Sequence, residues 1–144
     1  MHRRIPLNRW LAIAAAAVLV ATAAIHGSGY ASVSTAVGAR GLNPALGDAL
    51  RAVWLMISFH LVLLAIVVIV ASGVERGRRI VLACALIPAA DTVLLLHFVG
   101  VFVGSLALAA ATLLLVSSGL LPSAVADSSG RLAAFDGSQS SGQR

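Results

Sequence analysis

The sequence predicts an all-α integral membrane protein: a four-helix bundle followed by a disordered C-terminal tail. Hydrophobic residues make up 60% of its 144 residues and charged residues only 10%, whereas soluble domains average about 45–50% and about 25%. The chain also contains four apolar runs, each close to the roughly 20 residues that a transmembrane helix needs. Clusters of arginine flank these runs, where topology signals belong.

The four spans make up one bundle over residues 1–121. We predict them at about residues 10–26, 51–71, 80–98 and 103–121. No charged loop separates the last two runs, but a single helix over both would be about 63 Å long, twice the hydrocarbon thickness. The chain must therefore turn back within "HFVGVFVGS", where Gly100 and Gly104 supply the backbone freedom.

The arginine clusters predict the orientation of the spans. The positive-inside rule puts the N-terminus and the "ERGRR" loop at 75–79 in the cytoplasm of a bacterial cell, with the loop at 27–50 outside the plasma membrane. The Ser/Gly-rich tail at 122–144 is then a disordered cytoplasmic segment. A rival interpretation of the first run stays open, because its basic start, apolar stretch and Ala21-Thr22-Ala23 also fit a cleaved signal peptide.

The outer loop carries signals of local structure. Asn43 followed by Pro44 is a favourable helix start, so the second helix is expected to begin before the membrane. The segment "YASVSTAVGARG" at 30–41 can form a short interfacial helix. We interpret "HGSGY" at 26–30 as a loose helix exit rather than an anion-binding loop.

A histidine and an aspartate are predicted to lie at the same depth in neighbouring spans. His60 follows Arg51, at the outer end of the second span, by nine residues, and Asp91 precedes the turn at Gly100 by nine. Both therefore lie about 13–14 Å below the outer surface. Pro88 removes a backbone hydrogen bond and should bend the third helix one turn before Asp91. His60 and Asp91 form the candidate catalytic pair, with His26, His97 and Arg51 as accessory polar residues of the outer half.

Helical periodicity predicts which faces these residues share. His97 lies six residues from Asp91, about 120° around the helix, so it should not share the site of Asp91. His60 is expected to point inward, because an imidazole at this depth needs a polar partner. The residues expected on the same face of the second helix as His60 are Val53, Met56, Ile57, Leu64 and Val67. The residues expected on the opposite face are Arg51, Trp54 and Ser58.

Two functions follow from this pattern. The first is a small polytopic membrane protein with a structural or accessory role, in which the buried His60–Asp91 pair joins two helices by a hydrogen bond. The alternative is a membrane enzyme or proton-coupled carrier that uses the pair on a small or amphiphilic substrate from the outer leaflet. Whether the chain is an enzyme stays open, because no GxSxG, P-loop, Rossmann or EF-hand motif occurs.

Other ligand classes are not predicted. Cys84 is the only cysteine, and the histidines lack the regular spacing of metal ligands, so we predict no metal and no cofactor. The pI of about 11.4 does not indicate nucleic-acid binding, because aromatic and basic residues do not interleave. The expected partner is the lipid bilayer. Stripes of small residues fit intramolecular packing, a homodimer or a membrane protein partner equally well: Ala14, Ala17, Ala21 and Ala24, with Ala107 and Ala111.

Overall fold

The computed structural model describes residues 6–74 and 76–121, and within these residues the chain is helical with no strand. The all-helical prediction is confirmed for this part of the chain, whereas the predicted tail at 122–144 lies outside the described residues. The helices are α1 (Leu7–Ser28), α2 (Tyr30–Ala39), α3 (Pro44–Ser72), α4 (Arg78–Cys84), α5 (Leu86–Phe98) and α6 (Val103–Leu120).

Four helical runs are long and apolar enough to cross a membrane. α1 and α2 together form the first run, α3 the second, α4 and α5 the third, and α6 the fourth. The first run is longer than the predicted span, because α2 follows α1 after one residue. α1 ends at Ser28, within the motif "HGSGY" that predicts a helix exit, and Gly29 between α1 and α2 keeps near-helical dihedral angles (φ −74°, ψ −8°).

The predicted start of α3 is confirmed. The Asn43 side chain accepts a hydrogen bond of 2.9 Å from the backbone N–H of Ala45, and Pro44 is the first helical residue. α2 is the short helix predicted for the outer loop, and it packs against the start of α3. There Arg51 Nε donates to Ser34 Oγ at 3.1 Å. These contacts hold α2 against the first turns of α3.

The third run breaks at Ala85, between α4 and α5. Pro88 has no N–H to donate to the carbonyl of Cys84, and its ring crowds the preceding turn. Ala85 itself keeps helical dihedral angles (φ −66°, ψ −22°), and the interruption lies where the sequence predicts a bend before Asp91. α3 packs against α4 but only sparsely against α5, which means that the two spans separate beyond the break.

The predicted turn between the last two spans lies at residues 99–102. Gly100 has a φ of 91°, a backbone conformation that residues with a Cβ rarely adopt. The buried Ser105 side chain accepts a hydrogen bond of 3.0 Å from the N–H of Phe102 and donates to the carbonyl of Phe102 at 2.9 Å. Gly104 lies inside α6, against the Phe102 ring. A glycine and a buried hydroxyl therefore set the α5–α6 hairpin.

The bundle has two distinct ends. We call the end that carries Arg9, Arg76, Arg78 and Arg79 the arginine end. The opposite end, with α2 and the turn at 99–102, is the α2 end. α1 packs between α3 and α6, and most of the fully buried residues lie in the half at the arginine end. They include Ala12, Ala15, Ala16, Val68, Ala71, Val81, Cys84, Leu115 and Ser118.

Small residues and carbonyl contacts close the arginine end. A Cβ on Gly119 would overlap the side chain of Leu82, so α6 and α4 lie as close as a glycine permits. Arg78 donates to the carbonyl of Gly119 and, at 3.0 Å, to the carbonyl of Leu120. These are among the last carbonyls of α6, which have no partner within the helix.

The predicted alanine stripe of α1 lies on the outside of the bundle. Ala14, Ala17, Ala21 and Ala24 are exposed, so they take no part in packing within the chain. The buried alanines of α1 are offset from this stripe by about one residue: Ala12, Ala15, Ala16 and Ala23. In α6 the expectation of intramolecular packing holds, because Ala111 is fully buried and Ala107 is half-buried.

Candidate functional site

His60 and Asp91 lie within hydrogen-bonding distance of each other. His60 Nε2, on α3, is 3.2 Å from Asp91 Oδ2, on α5. The two side chains are 33% and 29% exposed, so they sit at the boundary between the bundle and its surroundings rather than in the centre. The prediction that they share one depth on neighbouring spans agrees with this distance. The bond bridges α3 and α5 at a level where the two helices pack only sparsely.

One proton lies in the His60–Asp91 bond, and it can belong to either residue. A carboxylate only accepts hydrogen bonds, so an ionised Asp91 requires His60 Nε2 to carry the proton. A neutral carboxylic acid instead donates to the unprotonated Nε2. The pair is therefore able to hold and release a proton, which is the chemistry that a general base or a proton relay needs. No described residue donates to the other oxygen, Asp91 Oδ1.

The predicted inward stripe of α3 is wrong at three of its five residues, whereas Leu64 is buried as predicted. Val53, Met56 and Val67 are about half exposed, and the side expected to face away from the bundle packs against α1. The buried stripe of α3 instead consists of Leu61, Leu64, Ala65, Val68 and Ala71. His60 stands at the edge of that stripe. The error arose because α3 is apolar all round, so hydropathy cannot tell its lipid-facing side from its packed side.

His26 and Trp54 form a second polar pair, between α1 and α3. Their rings stack with centroids 4.0 Å apart and planes at 18°. His26 Nε2 donates to the carbonyl of Trp54 at 3.1 Å, since a carbonyl only accepts, and Trp54 Nε1 donates to the carbonyl of His26 at 3.0 Å. Two hydrogen bonds and a stacked contact thus join the helices close to the α2 end.

The sequence contained a signal for the His26–Trp54 pair in the glycines of "HGSGY". A Cβ on Gly29 would lie 3.0 Å from Trp54 Cζ2, and a Cβ on Gly27 would lie 3.4 Å from Ser58 Oγ. The two glycines therefore form the surface against which this face of α3 packs. Ser58 Oγ is buried there, and no described residue is its hydrogen-bond partner. Trp54 and Ser58 lie on one face of α3, as helical periodicity predicts, but periodicity does not show that this face packs against α1.

The remaining accessory residues lie apart from His60 and Asp91. His97 is exposed and contacts the neighbouring Phe98 ring edge-on, with centroids 4.7 Å apart. Among the described residues, His60 is the hydrogen-bond partner of Asp91. Arg51 forms an ion pair of 2.8 Å with Asp48 and contacts Ser34. Within residues 6–74 and 76–121, no group of three or more His, Cys, Asp or Glu side chains could hold a metal ion.

A cavity of about 450 Å³ lies in the half of the bundle at the α2 end. Its size is within the roughly 300–1,000 Å³ of small-molecule sites. Aliphatic side chains of all four helical runs supply most of its wall, and Asp91 and His26 are its ionisable members. The lining residues are Thr22, Ile25, His26, Trp54, Ile57, Leu61, Asp91, Leu94, Leu95, Val99, Phe102, Val103, Gly104, Ala107 and Leu108.

The cavity and the two polar pairs belong to one site. Asp91 contributes both to the cavity wall and to the bond with His60, and both members of the His26–Trp54 pair line the cavity. An apolar space with one carboxylate at its wall is suited to holding a molecule that has an apolar body and one polar group. Comparisons with models of protein families, with curated proteins and with solved structures found no match to this chain.

Proposed function

We propose that this chain is an integral protein of the plasma membrane that binds a small amphiphilic molecule from the outer leaflet. The four apolar runs support the membrane assignment. So does the outward face of α3, where large aliphatic side chains are exposed along several turns: Val62, Leu63, Ile66, Val67, Ile69 and Val70. Soluble proteins rarely expose an apolar surface of this extent, whereas lipid tails cover it without cost.

The charge distribution supports an orientation with the arginine end in the cytoplasm. Arg9, Arg76, Arg78 and Arg79 lie at that end, whereas at the α2 end Arg51 is paired with Asp48. Cytoplasmic loops carry the excess of Lys and Arg in membrane proteins. Both termini would then be cytoplasmic, and the cavity would lie in the outer half of the membrane.

Cysteine labelling tests this orientation. In a Cys84→Ala background, Ala39→Cys should react with a membrane-impermeant maleimide in intact cells, and Arg76→Cys should react only after permeabilisation. The unmodified protein is the control, because its buried Cys84 should stay unlabelled in both conditions. Labelling of Arg76→Cys in intact cells with protection of Ala39→Cys would reverse the orientation.

The observation that carries the binding proposal is the position of Asp91 in the cavity wall. A charged group at the centre of a membrane helix costs about 2.5–3.5 kcal/mol on insertion scales, so such residues usually have a partner. His60 is the partner of one oxygen. The other oxygen can accept a hydrogen bond from the polar group of a ligand whose apolar body lies against Leu61, Leu94 and Leu95.

The sparse packing between α3 and α5 provides a path for a ligand from the lipid. The His60–Asp91 bond is what bridges these helices at the cavity wall, and Phe59 and Leu63 beside it are exposed. Breaking the bond would open the wall toward the acyl chains. A carrier would use the same bond to couple the ligand to a proton, because both compete for the carboxylate of Asp91.

Trp54 provides a direct test of the cavity as a binding site. Trp10 and Trp54 are the two tryptophans of the chain, and Trp10 lies at the opposite end from the cavity. In nanodiscs, a Trp10→Phe variant should show a saturable shift of Trp54 emission on addition of 1-octanol. Narrowing the cavity with Ala107→Leu should weaken it. The matched control is Trp54→Phe, in which Trp10 should respond only linearly, through partition into lipid. An unsaturable response of Trp54 would refute the proposal.

A structural or accessory role is the second candidate, and the His60–Asp91 bond favours it. Hydrogen bonds between membrane helices contribute about 0.6 kcal/mol on average and up to about 1–2 kcal/mol. Asp91→Asn and His60→Gln should therefore lower the free energy of unfolding by about this amount, measured by SDS titration in mixed micelles. If the pair only joins the helices, that loss should occur while Trp54 shows no saturable response to 1-octanol in the Trp10→Phe protein.

A further inference from the structure

We infer that the ligand of the cavity is a cationic amphiphile, a molecule with one positively charged nitrogen and an apolar body. This inference rests on the proposed binding function and specifies the charge of the ligand. It follows from the inventory of charges that surround the cavity, from the protonation states of the His60–Asp91 pair, and from the apolar character of the remaining wall.

The charge inventory contains one acid and no permanent cation. Among the residues that the structure describes, Asp91 is the only carboxylate that lines the cavity, and His26 is the other ionisable side chain of its wall. α6 contributes aliphatic residues and a glycine to the lining and has no ionisable residue along its length. Neither arginine of the α2 end, Arg40 or Arg51, lines the cavity, and Arg51 contacts Ser34 and Asp48. An anionic ligand would therefore meet a carboxylate and no fixed positive charge.

One of the two protonation states of the pair favours a positive ligand. When His60 is neutral and donates its Nε2 proton to Asp91 Oδ2, the pair carries a net charge of minus one. Oδ1 then has no donor among the described residues. A carboxylate in an apolar wall is stabilised by an opposite charge nearby much more strongly than one in water. An ammonium group beside Oδ1 supplies that charge, and a substituted ammonium with an N–H also supplies the missing hydrogen bond.

His26 does not offset this preference, because its ring is held by other contacts. Its Nε2–H donates to the carbonyl of Trp54 and its face stacks on the indole. The rest of the lining offers the apolar body of a ligand aliphatic contacts from α3, α5 and α6: Ile57, Leu61, Leu94, Leu95 and Leu108. The site thus pairs one negative group with an extended apolar surface, which is the complement of a cationic amphiphile.

Three amphiphiles with the same alkyl chain and different charge test this inference. The Trp10→Phe protein in nanodiscs of neutral lipid is titrated with octyltrimethylammonium, 1-octanol and octyl sulfate, and the emission of Trp54 is followed. The cation should reach half-saturation at a concentration about tenfold or more below that of the anion, because the carboxylate of Asp91 attracts the ammonium group and repels the sulfate group. Asp91→Asn should reduce this ratio to about one, while the response to 1-octanol remains.

The outcomes separate this inference from the proposed function. A saturable response to 1-octanol with equal affinity for cation and anion overturns the charge assignment and leaves the binding site in place. Tighter binding of octyl sulfate, or a preference for the cation that survives in Asp91→Asn, overturns it as well. No saturable response to any of the three overturns both proposals. If Asp91→Asn fails to fold, the comparison of cation and anion in the Trp10→Phe protein, which retains Asp91, still tests the charge of the ligand.

Discussion

The half of the bundle at the arginine end is closely packed, whereas the half at the α2 end encloses a cavity and two polar pairs. Both halves are built from the same four helical runs and are similarly apolar. At the arginine end the facing residues are small, as with Ala12, Ala15 and Ala16 of α1, and Gly119 packs directly on Leu82. Beyond the break at Ala85 the spans separate, and the space between them is about 450 Å³.

In the proposed membrane bundle, this difference separates the region that supplies stability from the proposed binding site. Lipid provides no hydrophobic driving force between helices, so close packing of small residues is what holds them together. The arginine end supplies that packing. The α2 end is joined instead by hydrogen bonds at His60–Asp91 and His26–Trp54, which leave room for a ligand. Three predictions test this division.

The largest effect is expected from a cavity made at the arginine end. Leu115 of α6 is fully buried, so Leu115→Ala should lower the free energy of unfolding by about 2–5 kcal/mol. Leu113→Ala, on the same helix but 68% exposed, is the matched control and should cost far less. SDS titration followed by circular dichroism measures both. Equal costs would mean that the packing at the arginine end is no tighter than the contact with lipid.

An intermediate effect is expected from two alanines one turn apart in α6. Ala111 is fully buried outside the cavity, and Ala107 lines it. Ala111→Leu should lower the free energy of unfolding by about 1–3 kcal/mol through overpacking. Ala107→Leu should change it by less than about 1 kcal/mol, because the cavity accommodates the added methyl groups. The same titration compares them, and a greater loss for Ala107→Leu than for Ala111→Leu would contradict the proposed division.

The smallest effect is expected at the His26–Trp54 pair. Trp54→Phe removes the Nε1–H that donates to the carbonyl of His26 and reduces the stacked area. The expected loss is about 1 kcal/mol, from one net hydrogen bond and part of a ring contact. Trp10→Phe is the control, since Trp10 is 54% exposed, and it should leave the unfolding midpoint unchanged. An equal unfolding midpoint for both variants would mean that the His26–Trp54 pair does not stabilise the α2 end.

The sequence alone was sufficient for the four apolar runs and for several of their boundaries. Apolar runs of membrane length, the Asn43–Pro44 start, the bend before Asp91 and the turn at Gly100 all depend on local chemistry, so they could be predicted without knowing any neighbour. The shared depth of His60 and Asp91 followed from counting residues along each span. Their separation from His97 followed from helical periodicity.

The tertiary structure alone decided which faces meet. α3 and α1 carry apolar residues on every side, so periodicity could not separate the side that packs from the side that faces lipid. For this reason the sequence predicts Val53, Met56 and Val67 inside the bundle, although they are about half exposed. The packing of Trp54 against Gly29 also depends on which helices meet. The cavity also depends on the separation of α5 from α3, a distance between helices that no single segment encodes.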